Sequence, residues 1–211
     1  MPEPPAFDLS GVNQGITPAV NPNDPRVHYL PALAATVPGG AVVRITNLDT
    51  PDPVFATNAA KDGSFLAAIM ASDGQELRFE WVDGAERSQP ADALFVQPLP
   101  TGAITITPSP RFDCLTLSPG FALAFSGAAQ ASVTLKNGCA GDLTLDNPRT
   151  RLALPDFTLT SALPLRVAAG QSAKLSVTFA RGAAGLREDV LFVDVTTAGT
   201  TLRYPITLRA E

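Results

Sequence analysis

The sequence predicts an all-β chain folded as two consecutive antiparallel β-sandwiches. Short runs alternate apolar and polar residues with a period of two, as in Leu175, Val177 and Phe179 against Lys174, Ser176 and Thr178. Clusters of Gly, Pro, Asn and Asp separate these runs and mark turns. The 211 residues include 20 prolines and 16 glycines, which argues against long helices, because an interior proline removes a hydrogen bond and clashes with the preceding turn. That length fits two sandwiches of about 100 residues each.

Residues 1–26 are rich in Pro, Asn and Gly and have little periodicity, so they read as an extended arm. Its apolar residues Phe7, Leu9, Val12, Ile16 and Val20 are the candidates for interaction. An extended segment adds most readily to an exposed sheet edge, of this chain or of a neighbour.

The first sandwich is expected over residues 27–110. Val43 and Ile45 alternate with Arg44 and Thr46, and Asn47 ends the strand. Val54–Ala56 is a short strand, and Asp62-Gly63 a tight turn. Phe65–Met70 is apolar at every position, which fits a buried strand. Leu77, Phe79 and Trp81 then face inward, with Arg78 and Glu80 outward. Ala93–Val96 is a late strand. Residues 97–113 form a semi-rigid Pro-rich connector around Ile104 and Ile106, with one short strand inside it.

The second sandwich is expected over 111–211. Leu115 and Leu117, then Phe121, Leu123 and Phe125, open it. Val133 and Leu135 lead to an Asn137-Gly138 turn, and Leu143 and Leu145 follow. Later strands carry Phe157 and Leu159, then Leu175–Phe179, then Leu191, Val193 and Val195, then Leu202, Tyr204, Ile206 and Leu208. Pro205 lies on the outward face and has no N–H, so it belongs at an edge or a bulge.

The run SVTLKNGCAGDLTL at 132–145, the turn Ala168–Ser172 and LSVTF at 175–179 resemble ASH-type (major-sperm-protein-like) immunoglobulin-fold domains. The resemblance covers about residues 112–211 and implies an Ig-like sandwich. PGGAVVRITN (38–47), KDGSF (61–65) and GQELRFEWVDGAERS (74–88) resemble bacterial Ig-like or carboxypeptidase-regulatory-like sandwiches. Such modules imply spacers, adhesin stalks and accessory domains on bacterial surfaces, with no chemistry to carry over. In the register that the ASH resemblance implies, Cys114 and Cys139 lie at neighbouring strand ends. A disulfide there would close a loop of about 25 residues, worth roughly 3 kcal/mol. Two buried free thiols are the other reading. A disulfide favours an exported protein.

Reactive constellations are hard to assemble from this chain. The single histidine, His28, has no Gly-x-Ser-x-Gly elbow to serve, and reads as a packed or solvated loop residue. Cys114 and Cys139 lack zinc spacing. Oxygen ligands for calcium are more plentiful: Asn23, Asp24, Asp49, Asp52 and Asp62 are weak candidates, all equally at home in turns. Trp81 shares the inward phase of Leu77 and Phe79, so it reads as core and not as a sugar platform. A net charge of −5 without a basic stripe excludes nucleic acid. No apolar run reaches the ~18 residues of a membrane span, and no export signal is visible in Met1–Pro5, which fits either a cytosolic chain or one whose signal has been trimmed.

The expectation is therefore a non-enzymatic, exported structural, adhesion or assembly protein, extracellular, at the cell surface or periplasmic. It would need no cofactor, with calcium as the one candidate, and would bind protein partners or itself. A carbohydrate- or ligand-binding accessory module is the alternative, with polysaccharide as its partner, and a cytosolic assembly factor is a third reading.

Overall fold

The computed structural model describes residues 5–12, 20–21, 24–97, 104–125, 127–180 and 185–210. It is all-β among these residues apart from one 3-10 turn at Leu9–Gly11. The chain divides into two compact units, Met1–Ser109 and Pro110–Glu211.

The first unit holds β1 (Val20–Asn21), β2 (Asp24–Ala32), β3 (Val42–Asn47), β4 (Phe55–Asn58), β5 (Phe65–Met70), β6 (Glu76–Asp83), β7 (Glu86–Arg87), β8 (Ala91–Val96) and β9 (Thr105–Pro108). A small sheet in the order β1-β2-β5 packs on a larger one in the order β4-β3-β6-β8-β9, with β7 paired to β6. Alternate residues of each strand meet in the core: Leu30 and Ile69 from the small sheet, and Val43, Ile45, Leu77, Phe79, Trp81 and Phe95 from the large one. Gly63 serves the turn before β5 with a φ of +82°, and a Cβ there would lie 2.1 Å from the Val37 carbonyl oxygen. Only glycine satisfies both conditions.

One boundary differs from the expectation. Residues 5–12 do not stand apart from the first sandwich. Phe7 is buried, with its ring centroid 5.6 Å from that of Phe79 and 6.4 Å from that of Phe65, so it sits in the core between the two sheets. The apolar character that marked this segment for interaction is what draws it into its own unit. The short strand expected inside the Pro-rich connector is present and belongs to the first sandwich. Thr105–Pro108 pairs with Ala93–Val96 as the edge strand β9, and Pro108 is tolerated because it ends an edge strand.

The second unit holds β10 (Leu115–Ser118), β11 (Ala122–Ala124), β12 (Gln130–Asn137), β13 (Leu143–Thr150), β14 (Phe157–Leu159), β15 (Leu165–Val167), β16 (Ser172–Phe179), β17 (Arg187–Thr197) and β18 (Thr200–Ala210). One sheet runs β10-β12-β16-β14, and the other β11-β18-β17-β13-β15. Successive strands from β10 to β17 thus alternate between the sheets, as in Greek-key sandwiches, and β17 and β18 form a hairpin within one of them. The core combines Val133, Leu135, Leu175 and Val177 with Leu143, Leu145, Val193, Val195, Tyr204 and Ile206. Tyr204 is buried, and its hydroxyl accepts the Phe112 N–H at 2.6 Å.

Pro205 lies within β18, opposite Phe192. Thr207, two residues on, donates its N–H to Phe121, on the side away from β17. Pro205 faces that same side, ahead of the first residue paired with β11, so its missing donor interrupts no ladder.

Candidate binding surfaces

The outer face of the small sheet in the first unit is the surface that departs most from a solvated sandwich. Val27, Tyr29 and Pro31 of β2 lie opposite Met70, Ala68 and Leu66 of β5. Leu33 extends the row beyond β2. Alternation puts these residues on the side opposite the buried His28, Leu30, Ala32, Phe65, Ala67 and Ile69. None of the seven is charged. Leu66 is 58% exposed, Leu33 50% and Tyr29 36%. An antiparallel sheet with one solvated face ordinarily alternates apolar with polar residues, and β5 does not. The pattern of Phe65–Met70 reads as burial on both faces, but only one face is covered among the described residues.

The large sheet shows the reverse. Glu76, Arg78 and Glu80 sit on the outward face of β6, yet all three are buried. The expectation of a solvated Arg78 and Glu80 is corrected here. Asp92 of β8 lies opposite Arg78, and the guanidinium binds both carboxylate oxygens, Nε to Oδ1 at 2.7 Å and an Nη to Oδ2 at 2.9 Å. Burial alone would lower the Arg78 pKa, but Asp92, Glu80 and Glu76 outweigh it and hold it above the usual value. A buried arginine is tolerable only in such a bidentate pair.

His28 lies on the inner face of β2, 1% exposed, with its ring centroid 4.8 Å from that of Phe95. Burial holds its pKa below the ordinary histidine value, against the opposing effect of a hydrogen bond to the Ala71 backbone. Its Nδ1 is buried without a hydrogen-bond partner among the described residues. Packed into a core, it has no route to a substrate.

Cys114 and Cys139 are joined by a disulfide that spans 25 residues of sequence. Pairing of Leu115 with Asn137 brings the two positions together. Asn137, fully buried, ties the region down. Its Oδ1 accepts the Cys139 N–H at 2.8 Å, and its Nδ2 donates to the carbonyls of Gly141 and Val167, both at 2.9 Å. Asn47 of the first unit does the same. Its Oδ1 accepts the Asp49 N–H at 3.0 Å, and its Nδ2 donates to the Met70 carbonyl and to Gln75 Oε1, both at 2.9 Å.

The calcium candidates scatter. Asp49 Oδ2 accepts the Glu76 N–H at 2.6 Å, and Asp52 Oδ2 accepts the Thr50 hydroxyl at 2.7 Å. Asp62 Oδ1 caps Ser64 in a separate exposed turn, and these bonds hold its pKa below the usual carboxylate value. Asn23 lies outside the described residues, and Asp24 begins β2 with its side chain undescribed. Among the described residues, no three His, Cys, Asp or Glu side chains gather as a metal site. Trp81 and Tyr204 are both buried, so they do not form an aromatic platform for sugars. Of the arm residues, Phe7 and Val12 are buried and Leu9 packs against the first core. Val20 lies in β1 with its side chain undescribed, and Ile16 falls outside the described residues.

No protein-family model matches the chain. No curated protein matches it either. Among solved structures it is similar to the CsuC–CsuE chaperone–tip adhesion subunit pre-assembly complex of Acinetobacter baumannii Csu pili, at 17% identity and a TM-score of 0.38, over 46% of this chain and 55% of that one. It is similar to the Vibrio cholerae VesB protease at 12% identity and a TM-score of 0.43, over 86% of this chain and 68% of that one. The ASH/PapD-like domain 7 of human CEP192 is similar at 14% identity and a TM-score of 0.36, over 54% of this chain and 98% of that one. At these identities and TM-scores the similarities carry no argument about activity.

Proposed function

We propose that the chain is a non-enzymatic structural or assembly module of a bacterial surface or periplasmic system, and that it works by docking a protein on its first unit. The uncharged outer face formed by Val27, Tyr29, Pro31, Leu33, Leu66, Ala68 and Met70 carries this reading. Exposed apolar patches of this kind mark interaction sites.

The occupant that fits is the uncharged apolar surface of a different protein. A charged partner surface would lose its hydration there and gain no counter-charge. A second copy fits less well. Each copy carries a net charge of −5, so two copies repel. Two strands about 4.8 Å apart and six residues long offer roughly 200 Å² of face, short of the ~800 Å² per partner of a standard interface for any occupant. The face is then the dry centre of a wider contact. The disulfide supports an oxidising compartment over the cytosolic reading.

A photo-crosslinking residue at Ala68, compared with one at exposed Lys174 in the second unit, tests the reading in the native host. Transfer to one discrete heterologous protein from position 68 alone is expected. Crosslinks only between copies of this chain, or equal labelling from both positions, would contradict it.

A further inference from the structure

The second unit carries a groove of about 250 Å³ on one side of its sandwich. Its floor is apolar core: Val177, Leu191 and Leu208. Its walls are Phe157 and Leu159 of β14 on one side and Pro148, Arg149 and Thr150 of β13 on the other. The opening has a structural cause. β13 shifts register between Asp146 and Arg149, and Asn147 there has a φ of +52°. β15 pairs only with Leu143–Leu145, so it does not cover the far half of β13.

Both walls present unpaired main chain to the groove. The Thr160 N–H donates to the Ser176 carbonyl, so residues 158 and 160 face β16, while Phe157 and Leu159 face away from it. The Arg151 N–H donates to the Val190 carbonyl, so Arg149 and Arg151 face β17, while Thr150 faces the open side. The Leu159 and Thr150 N–H groups have no partner among the described residues.

The geometry points to a strand-accepting site in the second unit, separate from the apolar face of the first: an extended, uncharged peptide segment of a partner protein adds to the Phe157–Leu159 edge. Its main chain bonds the Leu159 N–H and the Phe157 carbonyl, and its alternate aliphatic side chains drop between Leu159 and Leu191. Strand addition has this division of labour, with main-chain bonds for affinity and alternate side chains for fit. Free carboxylates are a poorer match, since Arg149 already pairs with Asp194 at 3.1 Å.

The test uses the whole chain and a blocked hexapeptide, Val at its second and fourth positions and Thr between them, followed by amide exchange. At saturating peptide, exchange at the Leu159 amide should slow at least tenfold, with shifts confined to 148–150 and 157–159. An analogue N-methylated at the two Val positions should have no effect. Leu159→Pro, which removes a donor the fold leaves unused, should abolish binding while the second unit keeps a cooperative melting transition by calorimetry. No protection at millimolar peptide would overturn the proposal. So would equal protection by the N-methylated analogue or by octanoate, or the same shifts from self-association without peptide.

Discussion

Phe7→Ala tests how the N-terminal segment belongs to the fold. The Phe7 side chain is 4% exposed and packs between Phe65 and Phe79, with main-chain bonds from Phe7 to Gln89 and from Gln89 to Pro5 on the same segment. Truncating a core phenylalanine costs about 3–5 kcal/mol, part lost transfer energy and part cavity. With a urea dependence of ~2 kcal/mol/M, that is a fall in midpoint of about 1.5–2.5 M. The chain's one tryptophan, Trp81, is buried in the first core, so its fluorescence follows that unit alone. The lowered midpoint should not depend on protein concentration, because the segment binds its own chain. An unchanged midpoint would refute the packing of Phe7. A midpoint that rises with protein concentration would show instead that the segment serves a neighbouring molecule.

Four further outcomes follow from the same contacts. Asn137→Ala leaves the Gly141 and Val167 carbonyls and the Cys139 N–H without their partner, and should cost the second unit about 3 kcal/mol by calorimetry while the Trp81 transition stays put. Reduction of Cys114–Cys139 should destabilise that unit by roughly 3 kcal/mol, measured by the shift of its melting transition with and without reductant. His28 has a lowered folded pKa, so its contribution is complete above the unfolded value of about 6.5 and is lost as pH falls through the folded one. Between pH 7.5 and 5.5 the wild type should therefore lose up to about 1.4 kcal/mol more than His28→Leu in matched urea titrations. Asp92→Asn should remove the bidentate partner of the buried Arg78, leaving Glu76 and Glu80 nearby, and lower the Trp81 midpoint, by about 3 kcal/mol in free energy.

Much of the architecture was legible because period-two alternation survives wherever one face of a strand is solvated. Leu175–Phe179 read correctly for that reason, whereas the Leu77, Phe79, Trp81 series read correctly because its other face is polar, although that face is buried. The signal fails where both faces depart from the rule. Alternation placed Arg78 on the outer face of β6, but a single strand does not reveal the cross-strand Asp92 that lets it be buried. Phe65–Met70 showed no alternation, so its exposed face could not be told from a buried one. Phe7 lies in a segment too rich in proline to carry a period, and only the gap between two sheets explains its burial. The groove beside β14 depends on a register shift at 146–149 and on where β15 stops. Neither leaves a mark in composition.

The docking role of the first unit is tested most directly by the double substitution Leu33→Glu and Leu66→Glu. Both side chains are half or more exposed, so the Trp81 urea midpoint should stay within about 0.5 kcal/mol of the wild type. The heterologous crosslink from Ala68 should disappear in the same protein. A crosslink that persists at wild-type yield in the folded double variant would contradict the account.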